Sequence, residues 1–167
     1  MVVPSSHPLD RQKFITFSLA EYRVALPMAS VLRILHHRPE GSNDTLSRMG
    51  LVQIGSHVIR AFDLHRQLNP VNPPPFLLIV RSPESEPFGL WVDGLPDIVE
   101  FLPDELRSLP PSVSRTSPFL ALMSHTALLP DDQDPIFFLE ISRILGTLGR
   151  TISSVSSAGD SARHQLQ

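Results

Sequence analysis

The chain has 167 residues, 41% of them hydrophobic and 19% charged, which is enough apolar material for a core in one or two compact units and too much for a disordered chain. Its formal net charge of -3 argues against sequence-independent nucleic-acid binding, which needs Lys and Arg to neutralise phosphates. Cysteine is absent, excluding disulfides and thiolate metal sites, and no apolar run approaches the ~18 residues of a membrane helix, so a cytoplasmic protein without membrane insertion is expected.

Residues 1–12 are polar and broken by proline, and SSVSSAGDSARHQLQ (153–167) is serine-rich, so both ends are expected to be flexible. Between them lie ten short apolar runs. In chain order they are FITFSL (14–19), YRVAL (22–26), VLRIL (31–35), LVQI (51–54), HVIRAF (57–62), FLLIV (76–80), FGLWV (88–92), DIVEFL (97–102), FLALM (119–123) and PIFFLEI (135–141). Rich in β-branched and aromatic residues and divided by Pro, Gly, Asn, Asp or Ser, they predict strands, and their number and spacing predict a mainly β sandwich or small barrels. RPEGSNDTLSR (38–48) has the composition of an exposed loop, and NPVNPPP (69–75) is a stiff connector, since proline fixes φ and removes a donor.

Helix is predicted in two places. One is a turn after Asp63, whose carboxylate can cap free N–H groups. The other is EISRILGTLGRTI (140–152), where Ile141, Ile144, Leu145 and Leu148 form one apolar stripe facing the β core. The folded region is thus expected over 13–150, with one lobe near 14–68, the connector at 69–75, a second lobe near 76–141 and the helix near 140–152.

Little of this points to catalysis. His36 and His37 are adjacent and would face opposite ways on a strand, no HExxH occurs, and G-x-S-x-G, P-loop and G-x-G-x-x-G patterns are missing, so no metal, cofactor or catalytic residue is expected. Asp93 and Asp97 could pair for acid–base work in a small-ligand or enzymatic β protein. Gly94 and Pro96 break any helix that would align them, however, and Asp93-Gly94 between apolar runs is a turn signal, with Asp bonding its own backbone and Gly taking positive φ. Trp91 reads as core rather than a ligand platform, and the acids of LPDELRSLPP (102–111) as a solvated turn. Arg33 sits among aliphatics. If its strand alternates, Val31, Arg33 and Leu35 share one face, either as a snorkelling edge strand or as a strip that binds a partner.

Four pieces of the chain together resemble the CheW-like domain, an adaptor module of bacterial chemotaxis-type signalling. They are FITFSL with VALPMASVLRIL (24–35), GLVQIGSHVIRAFDL (50–64), FGLWVDGLPDIVEFLPDELRSLPP (88–111) and PIFFLEISRIL (135–145), in the family's order and spacing. The resemblance implies two intertwined five-stranded β-barrel lobes with a C-terminal helix. It also implies a non-enzymatic scaffold between the cytoplasmic tips of chemoreceptors and the regulatory domain of a CheA-type histidine kinase. Carried across, Val31, Arg33, Ile34 and Leu35 and the segment Gln53, Ile54, Gly55 and Ser56 would lie near the receptor groove.

The chain departs from the family pattern there. Gln53-Ile54-Gly55-Ser56 stands where the family reads Asn-Leu-Arg-Gly, and Arg60 replaces a usual proline. A glycine cannot supply the rigid fork of charge-assisted hydrogen bonds that an arginine offers. The departure implies a divergent adaptor, serving a pilus-motility or phototaxis array or another regulatory complex, or a degenerate one holding a single partner.

Overall fold

The computed structural model describes residues 10–36, 50–64, 76–82 and 86–146. Nine of the ten apolar runs lie in strands: β1 (Gln12–Leu19), β2 (Tyr22–Pro27), β3 (Val31–His36), β4 (Leu51–Ile54), β5 (His57–Phe62), β6 (Phe76–Val80), β7 (Phe88–Val92), β8 (Asp97–Phe101) and, after two others, β11 (Pro135–Leu139). FLALM is the exception. Residues Leu120–Leu122 form a 3₁₀ turn, and a strand, β10, runs instead over Met123–Leu128. The burial spacing explains the difference: Phe119, Leu122 and Met123 are buried at a helical rather than an alternating interval, and the Ser117 hydroxyl accepts the Leu120 N–H at 3.0 Å. The polar residues of β10 hide it from a hydrophobicity reading, but Thr126 Oγ1 donates to the Ile136 carbonyl at 3.1 Å and settles onto the ladder.

Two further elements carry no apolar signal: β9, only Arg107–Ser108, and the short helix α1 (Pro111–Ser114), which opens on a proline at its first turn. Residues 141–146 form a helix, α2; Ile141 and Ile144 are buried and Leu145 packs beside them, as the stripe predicts. Leu148 and the rest of that predicted helix, residues 1–9 and 153–167 of the tails, the 38–48 loop, the 69–75 connector and the turn beyond Leu64 lie outside the described residues, while Gln12, expected in the flexible N-terminus, opens β1.

The strands form two sheets, one of six strands ordered β8-β1-β2-β11-β10-β9 and one of five ordered β3-β6-β7-β5-β4. Sheet membership does not follow the expected chain-order lobes of five strands each. The middle of the chain builds the smaller sheet, while β1 and β2 pair with strands from the far end, antiparallel to β8 and parallel to β11. Hydrophobic periodicity locates strands but carries no information on which distant strand pairs with which.

Three apolar clusters hold the sheets. The largest lies between them and includes Ile15, Phe17, Val24 and Leu26 from the six-stranded sheet and Leu78, Val80, Phe88, Leu90 and Val92 from the five-stranded one. Each sheet then covers a second core with its opposite face, because side chains alternate along every strand. On the six-stranded sheet this second core contains Phe14, Ala25, Phe101, Ile136 and Phe138. Phe101 and Phe138 have ring centroids 5.7 Å apart although their strands stand three positions apart in the sheet. A flat sheet would separate such strands by roughly 14 Å, so this sheet curls strongly around its core. On the five-stranded sheet the second core is Ala61, Leu77 and Ile79, with Leu35, Val52, Ile54, Ile59 and Trp91 packed against it. Trp91 is therefore core packing.

Candidate partner-binding surface

β3 is an edge strand, and its alternation is interrupted. Val31 pairs with Val80 and Arg33 with Ile79, leaving Leu32 as the extra residue of a bulge. The bulge reverses the facing of everything before it. Val31 packs against the core between the sheets, whereas Arg33 and Leu35 share the opposite face, where Leu35 packs against the second core. The expected common face of Val31, Arg33 and Leu35 is thus split, because a bulge inserted between positions 31 and 33 shifts the period by one.

What β3 presents outward is Leu32, Arg33 and Ile34. Leu32 is 44% exposed and Ile34 43% exposed, and Met28, in the 3₁₀ turn (Met28–Ser30) leading into the strand, is 41% exposed. Ile34 lies opposite the fully buried Leu78 and keeps an open flank because its strand ends the sheet.

The other predicted segment is the β4–β5 hairpin at the opposite edge of the same sheet. Ile54 pairs with His57, leaving Gly55 and Ser56 as a two-residue loop. Gly55 has φ +60 and Ser56 does not share the positive φ, the pattern of a turn with glycine required at its first central position. Gly55 is therefore present for the turn. Gln53 donates from Nε2 to the Gly55 carbonyl at 3.2 Å and braces the loop from outside. Ile54 points to the second core, while Gln53, Val58 and Arg60 belong to the other face and are exposed, Val58 by 53%. The structure thus places four of the nine predicted residues on the edge strand β3, two on the opposite edge strand β4, two in the β4–β5 loop and Arg60 on β5, with both faces represented on each side.

Sequence reading missed Met28, Leu32 and Val58 as exposed aliphatics, together with Leu95 (77% exposed) and Ile98 (53% exposed) near and on the edge strand β8. Nothing in composition separates these from neighbouring core aliphatics; only the pairing register does.

The carboxylates proposed for chemistry are engaged by backbone. Asp93 Oδ2 accepts the Ala20 N–H at 2.9 Å, and Asp97 Oδ1 accepts the Ile98 N–H at 2.8 Å. The Asp93 carboxylate reaches a different hairpin, and Gly94 does not take the positive φ expected of it. A Cβ at Gly94 would stand 3.2 Å from Ser18 Oγ, a tight approach that a small shift of the serine would have to relieve. The corner that Gly94 forms joins β7 to β8 and so leads from one sheet to the other, rather than joining two strands of one lobe.

Among the described residues no group of three or more His, Asp or Glu side chains converges to hold a metal. A shallow cleft of about 560 Å³ is lined by Asp104, Glu105, Arg107, Thr126, Leu128, Gln133 and others, and contains neither Asp93 nor Asp97. Glu105 there is committed to the start of its own 3₁₀ turn, accepting the Leu102 N–H at 2.7 Å. No helix among the described residues is long and apolar enough to cross a membrane.

These strands, on two sheets with a shared core, belong to a chain that matches a known family. The CheW-like domain model aligns with residues 13–148. The chain belongs to the CheW-like domain family. Its fold is similar to that of the scaffolding protein TtCheW from Thermoanaerobacter tengcongensis, with a TM-score of 0.64 at 19% sequence identity, over 84% of this chain and 91% of that one. No curated protein sequence matches this chain.

Proposed function

We propose that this CheW-like protein is a non-catalytic cytoplasmic adaptor that couples the helical cytoplasmic tip of a receptor to the regulatory domain of a CheA-type histidine kinase. Family membership supports the adaptor class. The observation that carries the surface assignment is the row of exposed aliphatics on a rigid edge, Met28, Leu32 and Ile34, flanked by Arg33. Apolar anchors held by a sheet suit a helical partner, because a few desolvated side chains supply most of the binding energy while the framework stays ordered. Val31, Leu35 and Ile54 would support those anchors from inside, and Gln53, Ser56 and Arg60 would supply polar contacts at the second edge.

Titration calorimetry with a receptor helical fragment tests the assignment. Ile34→Asp should weaken binding at least tenfold while the protein stays folded, and unchanged affinity would remove β3 from the interface.

A second reading, an adaptor that holds the kinase alone, is favoured by one observation. Where the family carries an arginine, this chain uses a left-handed turn glycine, Gly55, so the receptor-side fork is missing. Binding of the kinase domain with no measurable receptor binding by the unaltered protein would select this reading.

A further inference from the structure

We infer that Asp93 is a latch that constrains the orientation of the two sheets. Asp93 follows β7, in the five-stranded sheet, and makes two hydrogen bonds to the β1–β2 hairpin of the six-stranded sheet. Its N–H donates to the Ser18 carbonyl at 3.1 Å, and its Oδ2 accepts the Ala20 N–H at 2.9 Å, so one residue grips the hairpin at two points. Gly94 closes the approach, leaving no room for a Cβ against Ser18 without displacement.

The gripped turn is itself unusual. Leu19 pairs with Tyr22 across a two-residue loop, and Ala20 in that loop has φ +52, the one described non-glycine residue with positive φ. A side chain in that region is unfavourable, and such conformations persist where surrounding contacts over-determine them. The Asp93 carboxylate is one such contact. It holds the Ala20 N–H in the direction that the left-handed conformation gives it.

The core between the sheets is apolar, and its interdigitated side chains set the general angle of packing. Hydrogen bonds are directional. The Asp93 bonds to Ser18 and Ala20 therefore add a directional constraint to that packing at this corner. Resting on the adaptor reading above, the latch would keep the exposed edges β3 and β8 in a fixed mutual geometry for a partner, with Asp93 acting as a positioning residue that touches no partner itself.

The chain has no cysteine, so two introduced thiols carry spin labels without background. Labels at Gln12→Cys, at the far end of β1 from the latch, and His57→Cys, on the other sheet, report the sheet-to-sheet distance by double electron–electron resonance. The measurement is made in an Ala20→Gly background, which removes strain from the turn and leaves the latch as the variable. Asp93→Ala should widen the distance distribution about twofold and speed exchange of the amide at position 20 roughly tenfold, as loss of one stabilising hydrogen bond would. Asp93→Asn, which keeps an acceptor oxygen, should restore the narrow distribution. Should Asp93→Ala not fold, Asp93→Glu, which misplaces the carboxylate by one methylene, should widen the distribution instead. An unchanged width in the folded Ala variant, or equal widening by Asn, would overturn the latch. No partner is present in this experiment, so its failure is distinct from failure of the adaptor reading.

Discussion

Replacing Gly55 by arginine, the residue that the family resemblance implies for this segment, tests the turn directly. The glycine has φ +60, and an added Cβ would meet nothing within 4 Å, so the cost is one of backbone conformation alone. Holding a side chain in the left-handed region costs about 1–2 kcal/mol. Lower freedom in the unfolded chain returns about 0.5–1 kcal/mol. A net loss of about 1 kcal/mol follows, equivalent to a fall in Tm of roughly 2–4 °C for a chain of this size. Gly55→Asn should cost less, because asparagine tolerates left-handed backbone. Thermal and urea unfolding of the three proteins measures the series. An arginine variant as stable as the parent, or an asparagine variant less stable than the arginine one, would refute a left-handed Gly55. The same variant separates the two functional readings, since recovered receptor binding by Gly55→Arg would show that the missing guanidinium, and not the fold, limits contact.

Other substitutions probe the core and surface assignments. Val31→Asp should cost about 2 kcal/mol or more, because Val31 packs against the core between the sheets, whereas Ile34→Asp, three residues away and 43% exposed, should cost about 1 kcal/mol or less in chemical denaturation. Phe138→Ala should cost about 3–5 kcal/mol with an unchanged denaturant slope, since its ring contacts Phe14 at 4.8 Å and Phe101 at 5.7 Å; a loss under about 1 kcal/mol would contradict the curled sheet. Asp132→Asn removes the carboxylate paired with Arg23, both side chains being 35% exposed, and should cost under about 1 kcal/mol, with the difference shrinking as salt is raised.

Strand positions are legible in the sequence because Pro, Gly and Asp cut the apolar runs at their true ends, and the α2 stripe is legible because Ile141, Ile144 and Leu145 fall at helical spacing. The pairing of β1 and β2 with β8 and β11 is not, since it depends on contacts between residues some 80 to 110 positions apart. The surface suffers more. One unmatched residue, Leu32, reverses the facing of β3, so Val31 turns inward while Leu32 and Ile34 become the exposed aliphatics. Asp93-Gly94 reads locally as a self-contained turn. One partner of its carboxylate, Ala20, is 73 positions away and advertises nothing in a sequence, because an alanine with positive φ looks like any other alanine.

Coupling requires both partners to be held at once. Light scattering coupled to size exclusion, on a mixture of this protein with the kinase regulatory domain and a receptor helical fragment, measures that directly. A single species with the summed mass of all three is the predicted result. Competition, in which adding the receptor fragment releases the kinase domain, would contradict the account.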